Sequence, residues 1–223
     1  MKKLPKTQKN RGMTYIELIV VLSIFSIMSS IVLFNYGEFQ ARVDIRNLAS
    51  NIALKVVEAQ KASLAGKLPP TAQYSALLSP STWKPSFGVY FNTASDANKK
   101  SFIYFTDLDN TTPSQNGIFD DFGPSCVGEC LDQITITKGN YISKLEIVPL
   151  GTSCSGVVTG TTTVVNDLGI LFRRPDSGAT ISTSNAVLSP STFTCAQITI
   201  SSSSSNTSSS IIKLFPSGRI QIN

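Results

Sequence analysis

The 223-residue chain contains no histidine. That absence removes the commonest acid–base side chain, every nucleophile–His pair and every His metal ligand. Charge is scarce as well: 15% of residues are charged and 41% are hydrophobic. A wholly disordered chain would show the opposite balance. The length accommodates one domain, or two small ones, with a real core. Acid is in deficit, with 14 Asp+Glu against 19 Lys+Arg, a formal net charge of +5. Such a balance ordinarily suggests nucleic acid or an anionic membrane as partner.

The position of the charges decides between those partners. Lys2, Lys3, Lys6, Lys9 and Arg11 lie within residues 1–12, which hold no acid. The remaining 14 bases are matched by all 14 acids. The basic excess is therefore confined to a short N-terminal stub. A basic stub followed by an apolar run is an orientation or export signal rather than a DNA-binding surface.

The apolar run begins at Met13, and no charge occurs from Leu18 to Gly37. As a helix, Met13 to Phe34 is roughly 33 Å long, enough to cross a bilayer core. The bases before it place that end in the cytoplasm and send the rest outside. A plain anchor or a removable secretory signal is the simplest reading. A secretory signal needs small residues after the apolar run, where this chain has Phe34-Asn35-Tyr36. Its Gly12 instead precedes the run, between Arg11 and Met13. Glu17 is the second departure. A carboxylate at the bilayer centre costs about 2.5–3.5 kcal/mol, and somewhat less near the interface. If the chain is cut after Gly12, Glu17 becomes the fifth residue, about one helical turn from the new amine.

Lys9-Asn-Arg-Gly12, followed by Met13-Thr-Tyr-Ile-Glu17-Leu-Ile-Val-Val-Leu22, resembles the N-terminal signature of type IV prepilins and type II secretion pseudopilins. The resemblance implies cleavage after Gly12 by prepilin peptidase and methylation of the Met13 amine. It also implies filament assembly through the apolar helix, including Leu18, Ile19, Val20, Val21, Leu22, Ile24, Phe25 and Ile27. Within the filament, Glu17 would meet the amine of a neighbouring subunit. The implied partners are other pilin subunits, prepilin peptidase and an inner-membrane assembly platform. The implied location is the bacterial cytoplasmic (inner) membrane, with one pass and the head outside, and then the filament. Met13 stands where the family usually has Phe, and Phe34 where many members have Pro.

Ile45, Leu48, Ile52, Val56 and Ala59 recur at spacings of three and four, the mark of one buried helical face. Glu38, Arg42, Asp44, Arg46, Lys55, Glu58 and Lys61 supply the wet faces. Gly66, followed by Pro69-Pro70, marks the stop. A helix from Met13 to about Ala65 is roughly 80 Å long.

Beyond it, short β-type runs occur at Phe87–Phe91, Phe102–Thr106, Gln133–Thr137, Lys144–Val148, Leu168–Phe172, Gln197–Ser201, Ile211–Phe215 and Arg219–Ile222. Pro216-Ser-Gly218 reads as a tight hairpin turn. Ser201–Ser205, Asn206, Thr207 and Ser208–Ser210 read as a flexible connection. The expected fold class is α+β: a long N-terminal helix packed on a mainly antiparallel β head, the type IV pilin fold. The expected divisions are a leader at 1–12, an apolar helix at 13–36, an amphipathic helix at 37–66 and a head at 67–223. Asn47 to Lys61, Gly169-Ile-Leu-Phe172 with Arg174-Pro175, and Ile211 to Ile220 resemble GspH/FimT-type minor pilins. The resemblance implies an initiator or tip subunit more than a bulk subunit.

Cys126, Cys130, Cys154 and Cys195 all lie in the exported part, where disulfides are expected. Three pairings are open, and Cys126–Cys130 with Cys154–Cys195 is favoured. Free thiols and a tetrathiolate zinc site are the alternatives, and the irregular spacing and the compartment speak against zinc. Asp107, Asp109, Asn110, Asp120 and Asp121 surround a Gly-containing loop. EF-hand spacing fails there, because Thr111, Thr112 and Ile118 occupy ligand or turn positions. These acids read as solvated turn residues, with one weak calcium site as the alternative and no other cofactor expected. Arg173, Arg174, Lys213 and Arg219 are the only hints of a phosphate-binding patch. Some FimT-type pilins take up DNA through paired C-terminal arginines, but Gln221 stands where the second belongs. No nucleophile–base pair, phosphate loop or paired-acid motif points to an enzyme. The alternatives are a competence pseudopilin that binds extracellular DNA, and a plain membrane-anchored β domain for adhesion or sensing.

Overall fold

A computed structural model describes residues 12–70, 85–108, 116–120, 126, 128–154, 162–184, 186–203 and 208–223. It has one long helix, α1 (Tyr15–Leu64), and eleven strands among the described residues. The chain forms two compact units, Met1–Gln40 and Ala41–Asn223.

Within the second unit, α1 buries Ile45, Ala49, Ile52, Val56, Ala59 and Ala62. These positions repeat at three and four residues, so they form one stripe. Leu48, expected within that stripe, lies at its margin and is half-buried. The stop falls where Gly66 predicted it. Gly66 takes φ +64°, its N–H donates to Ser63 O at 3.0 Å, and Lys67 N–H donates to Ala62 O at 3.0 Å. That pair of bonds is a Schellman cap, which needs a left-handed residue and therefore favours glycine.

The strands are β1 (Ser86–Asn92), β2 (Ser101–Asp107), β3 (Cys130–Thr135), β4 (Asn140–Pro149), β5 (Thr163–Val165), β6 (Asp167–Phe172), β7 (Ala179–Thr183), β8 (Ala186–Leu188), β9 (Phe193–Ser202), β10 (Ser209–Leu214) and β11 (Ile220–Ile222). They form two antiparallel sheets, ordered β3-β2-β1-β6-β7-β8 and β11-β10-β9-β4-β5. One apolar core joins the helical stripe to inward residues of both sheets. Phe87, Val89, Phe91, Ile170 and Phe172 come from the first, and Leu145, Ala196, Ile198, Ile212 and Leu214 from the second.

Several sequence expectations need correction. The strand expected at Gln133–Thr137 is Cys130–Thr135, because Cys130 pairs with Phe105 across a bulge and the chain turns at Lys138 and Gly139. Strands β5, β7 and β8 were not expected. Two are three residues long, and β7 reads Ala-Thr-Ile-Ser-Thr, too small and polar to signal a strand. The serine-rich stretch is not wholly a connection. Ser201 and Ser202 end β9, Ser209 and Ser210 begin β10, and Ser201 pairs with Ser209. The hairpin turn at Pro216-Ser-Gly218 carries Gly218 N–H to Phe215 O at 2.9 Å and Phe215 N–H to Arg219 O at 2.9 Å.

Candidate functional site

The residues singled out at the N-terminus share one short segment. Gly12, Met13 and Thr14 are outside the helix, and α1 starts at Tyr15. Leu18 N–H donates to Thr14 O at 3.1 Å, which makes Thr14 the helix N-cap. Glu17 N–H donates to Thr14 Oγ1 at 3.4 Å. Thr14 and Glu17 therefore occupy the two positions of a capping box. Sequence reasoning missed this role of Thr14, although the Thr-x-x-Glu spacing signals it. Glu17 itself is exposed.

From Leu18 to Phe34 the first unit is uncharged and mainly apolar. Leu18, Ile19, Val20, Val21, Leu22, Ile24, Phe25 and Ile27 are all exposed, as are Met28, Ile31, Val32, Leu33 and Phe34. Leaving one Leu, Ile or Phe in water forgoes about 1.5–3 kcal/mol. Summed along this run, that exceeds the 5–15 kcal/mol or so that a whole domain has to spare. Water is thus the wrong surrounding for this segment. The helix is long and apolar enough to cross a membrane. Its hydroxyls suit that setting: Ser23 Oγ donates to Val20 O and Ser26 Oγ to Leu22 O, both at 2.8 Å. Each hydroxyl proton is satisfied within the helix and asks nothing of its surroundings.

Where they are described, the acids proposed for calcium already accept hydrogen bonds from the protein. Asp107 is fully buried, and its Oδ2 accepts Gly117 N–H at 3.0 Å. Asp120 accepts a bond from the Asn116 side-chain amide. Glu129, which sequence reasoning passed over, is buried and holds the same loop. Its two oxygens accept Leu108 N–H at 2.8 Å and Asp120 N–H at 3.2 Å. Asp109 and Asp121 lie outside the described residues. Among the described residues no cluster of three or more His, Cys, Asp or Glu is placed to hold a metal.

The cysteines pair as Cys126–Cys130 and Cys154–Cys195. Each lies against the outer side of one sheet. Cys130 packs with Tyr90, Phe105, Phe119 and Leu171, while Cys154 and Cys195 pack with Val148 and Phe215.

One of the four bases that hint at a phosphate-binding patch is out of reach of any partner. Lys213 is 0% exposed, and its Nζ donates to Cys154 O at 2.9 Å. A fully buried ammonium cannot meet a phosphate, so Lys213 leaves the candidate patch. Arg219 stacks its guanidinium 4.0 Å from the Phe215 ring centre. The Arg174 guanidinium lies against Gly66, at the C-terminal end of α1 where carbonyls carry partial negative charge. Arg173 is exposed.

Two tyrosines in the head are perturbed. Burial pushes the Tyr104 phenol up to about 12, with help from the Glu58 carboxylate. Its hydroxyl has no hydrogen-bond partner among the described residues, and Lys55 Nζ sits 5.5 Å from its ring centre. Burial likewise pushes Tyr90 up to about 12, aided by Asp167 and opposed by a bond from Asn92. Both phenols are neutral at physiological pH and serve packing. Compared with known proteins, the chain matches no family model, no curated protein and no solved structure.

Proposed function

We propose that this chain is a structural subunit of a bacterial type IV pilus or type II secretion pseudopilus, of the minor GspH/FimT type. In this reading prepilin peptidase cuts after Gly12 and the new Met13 amine is methylated. The protein waits in the inner membrane with its head outside and then joins the filament. One observation carries the reading. A basic leader ends in Gly12, and five residues later a lone carboxylate, Glu17, stands at the head of a helix that is uncharged from Leu18 to Gly37. That helix continues to Leu64, and its second half is the buried spine of an antiparallel head. Such an architecture suits the type IV pilin fold.

The chemistry of this function is assembly. Leader removal creates an amine close to Glu17, and an apolar bundle excludes the water that would solvate either charge. A neighbouring subunit's amine stabilises the Glu17 carboxylate only when the two helices are in register. Apolar contact supplies the attraction, and the buried ion pair sets the register. Burial of Lys213 weakens the DNA-binding alternative, because it removes one of four candidate bases.

Gly12→Ala is expected to leave the leader in place, read as an unprocessed mass in membrane extracts. Glu17→Ala is expected to spare export and cleavage while lowering the amount of protein in sheared filaments. Normal incorporation of Glu17→Ala would contradict the assigned role.

A further inference from the structure

A helix of 50 residues whose first half is apolar has no intrinsic reason to begin at Tyr15. Gly12 is the nearest competent cap upstream, since glycine caps almost as well as threonine. A helix started from Gly12 would take the Gly12–Met13 peptide into its first turn. There the bond would be held in helical geometry and shielded by the following turn. A hydrolase would then have to unwind the segment before water reached the Gly12 carbonyl carbon.

Thr14 prevents this. Its carbonyl accepts the first helical bond, from Leu18, and its hydroxyl accepts Glu17 N–H, a group with no partner inside the helix. In an apolar setting an unsatisfied N–H is costlier than in water, so the hydroxyl is a strong reason to start here. Gly12 and Met13 accordingly stay in non-helical backbone.

We propose that Thr14 is a positioning residue for leader removal: its side-chain cap ends α1 and keeps the Gly12–Met13 bond open to prepilin peptidase. This rests on the reading of Gly12 as the cleavage point. The step is an amide hydrolysis. The bond between the Gly12 carbonyl carbon and the Met13 nitrogen breaks; water's oxygen goes to the Gly12 carboxyl and its proton to the Met13 amine. Thr14 touches neither reacting atom and acts through the helix start.

The test uses the full-length chain in membrane vesicles with prepilin peptidase. Initial rates of leader loss are followed by mass, on the membrane-inserted fraction only, with N-terminal sequencing of the product. Thr14→Ser and Thr14→Asn keep a capping oxygen, and should process within about twofold of the parent. Thr14→Val keeps the shape without the cap, and Thr14→Leu adds helix propensity. Both should slow by roughly fivefold, the size of one lost cap. Faster amide exchange at Glu17 in Thr14→Val should accompany the slowing. Processing of Thr14→Val at the parental rate would overturn the proposal. So would slow Thr14→Asn beside fast Thr14→Val, which would mean that the peptidase reads side-chain shape directly. A mature terminus other than Met13 in the parent would instead overturn the reading beneath it.

Discussion

Single residues in the head carry sharp consequences. Gly88 lies in β1, between β2 and β6, where a Cβ would stand 2.5 Å from Ile170 O and 2.7 Å from Phe105. A backbone oxygen cannot swing aside as a side-chain tip can. Gly88→Ala is therefore expected to lower stability by about 1–3 kcal/mol, measured by denaturant unfolding. Tyr90 and Tyr104 predict an alkaline effect. An ordinary tyrosine ionises near 10.0, whereas these two ionise near 12 in the fold. Between those values the unfolded chain sheds protons that the folded head keeps, so stability falls as pH rises. Stability should be level below about pH 10 and decline toward 12, and Tyr104→Phe should flatten part of that decline. Phenolate absorbance rising fully near pH 10 in the folded protein would contradict this. The same scale shows where sequence reasoning fell short. Thr14 and Glu129 act through backbone N–H groups. Thr14 announces itself by its spacing from Glu17, but the partners of Glu129 are set by a loop path that no local pattern reveals.

At the scale of elements, α1 was legible because period and stop signals agreed: Ile45, Ile52, Val56 and Ala59 on one stripe, and Gly66 at the end. The long apolar strands were legible for a similar reason, as at Ser86–Asn92 and Asp167–Phe172. Strand β7 was not. Its Ala179 and Ile181 face the main core while β6 and β8 pair with its two edges, and pairing of that kind leaves no mark in a five-residue window. The disulfides act at this scale too. Cys154–Cys195 closes a separation of 41 residues and Cys126–Cys130 one of 4. On a chain-entropy view the longer closure is worth about 4 kcal/mol and the shorter about 2 kcal/mol. Cys154→Ser with Cys195→Ser should accordingly lower stability more than Cys126→Ser with Cys130→Ser. Unfolding both double variants in denaturant, under non-reducing conditions, checks the order. Equal losses would show that packing around the sulfurs, rather than loop closure, dominates.

For the whole molecule, charge placement and apolar exposure lead to the same conclusion. The net charge of +5 resides in the first twelve residues, and the rest balances 14 bases with 14 acids. The exposed apolar helix that follows needs lipid or other helices around it. The short β-type runs foretold a β-rich head but not its division into two sheets, because the pairings that define the sheets join distant segments. Strand β1 meets β6, and β4 meets β9. The most direct test of the processing claim is the N-terminal sequence and intact mass of the protein extracted from its native membrane. A chain that begins at Met13 and carries one added methyl group is the predicted result. A retained leader, or a first residue other than Met13, would contradict the account.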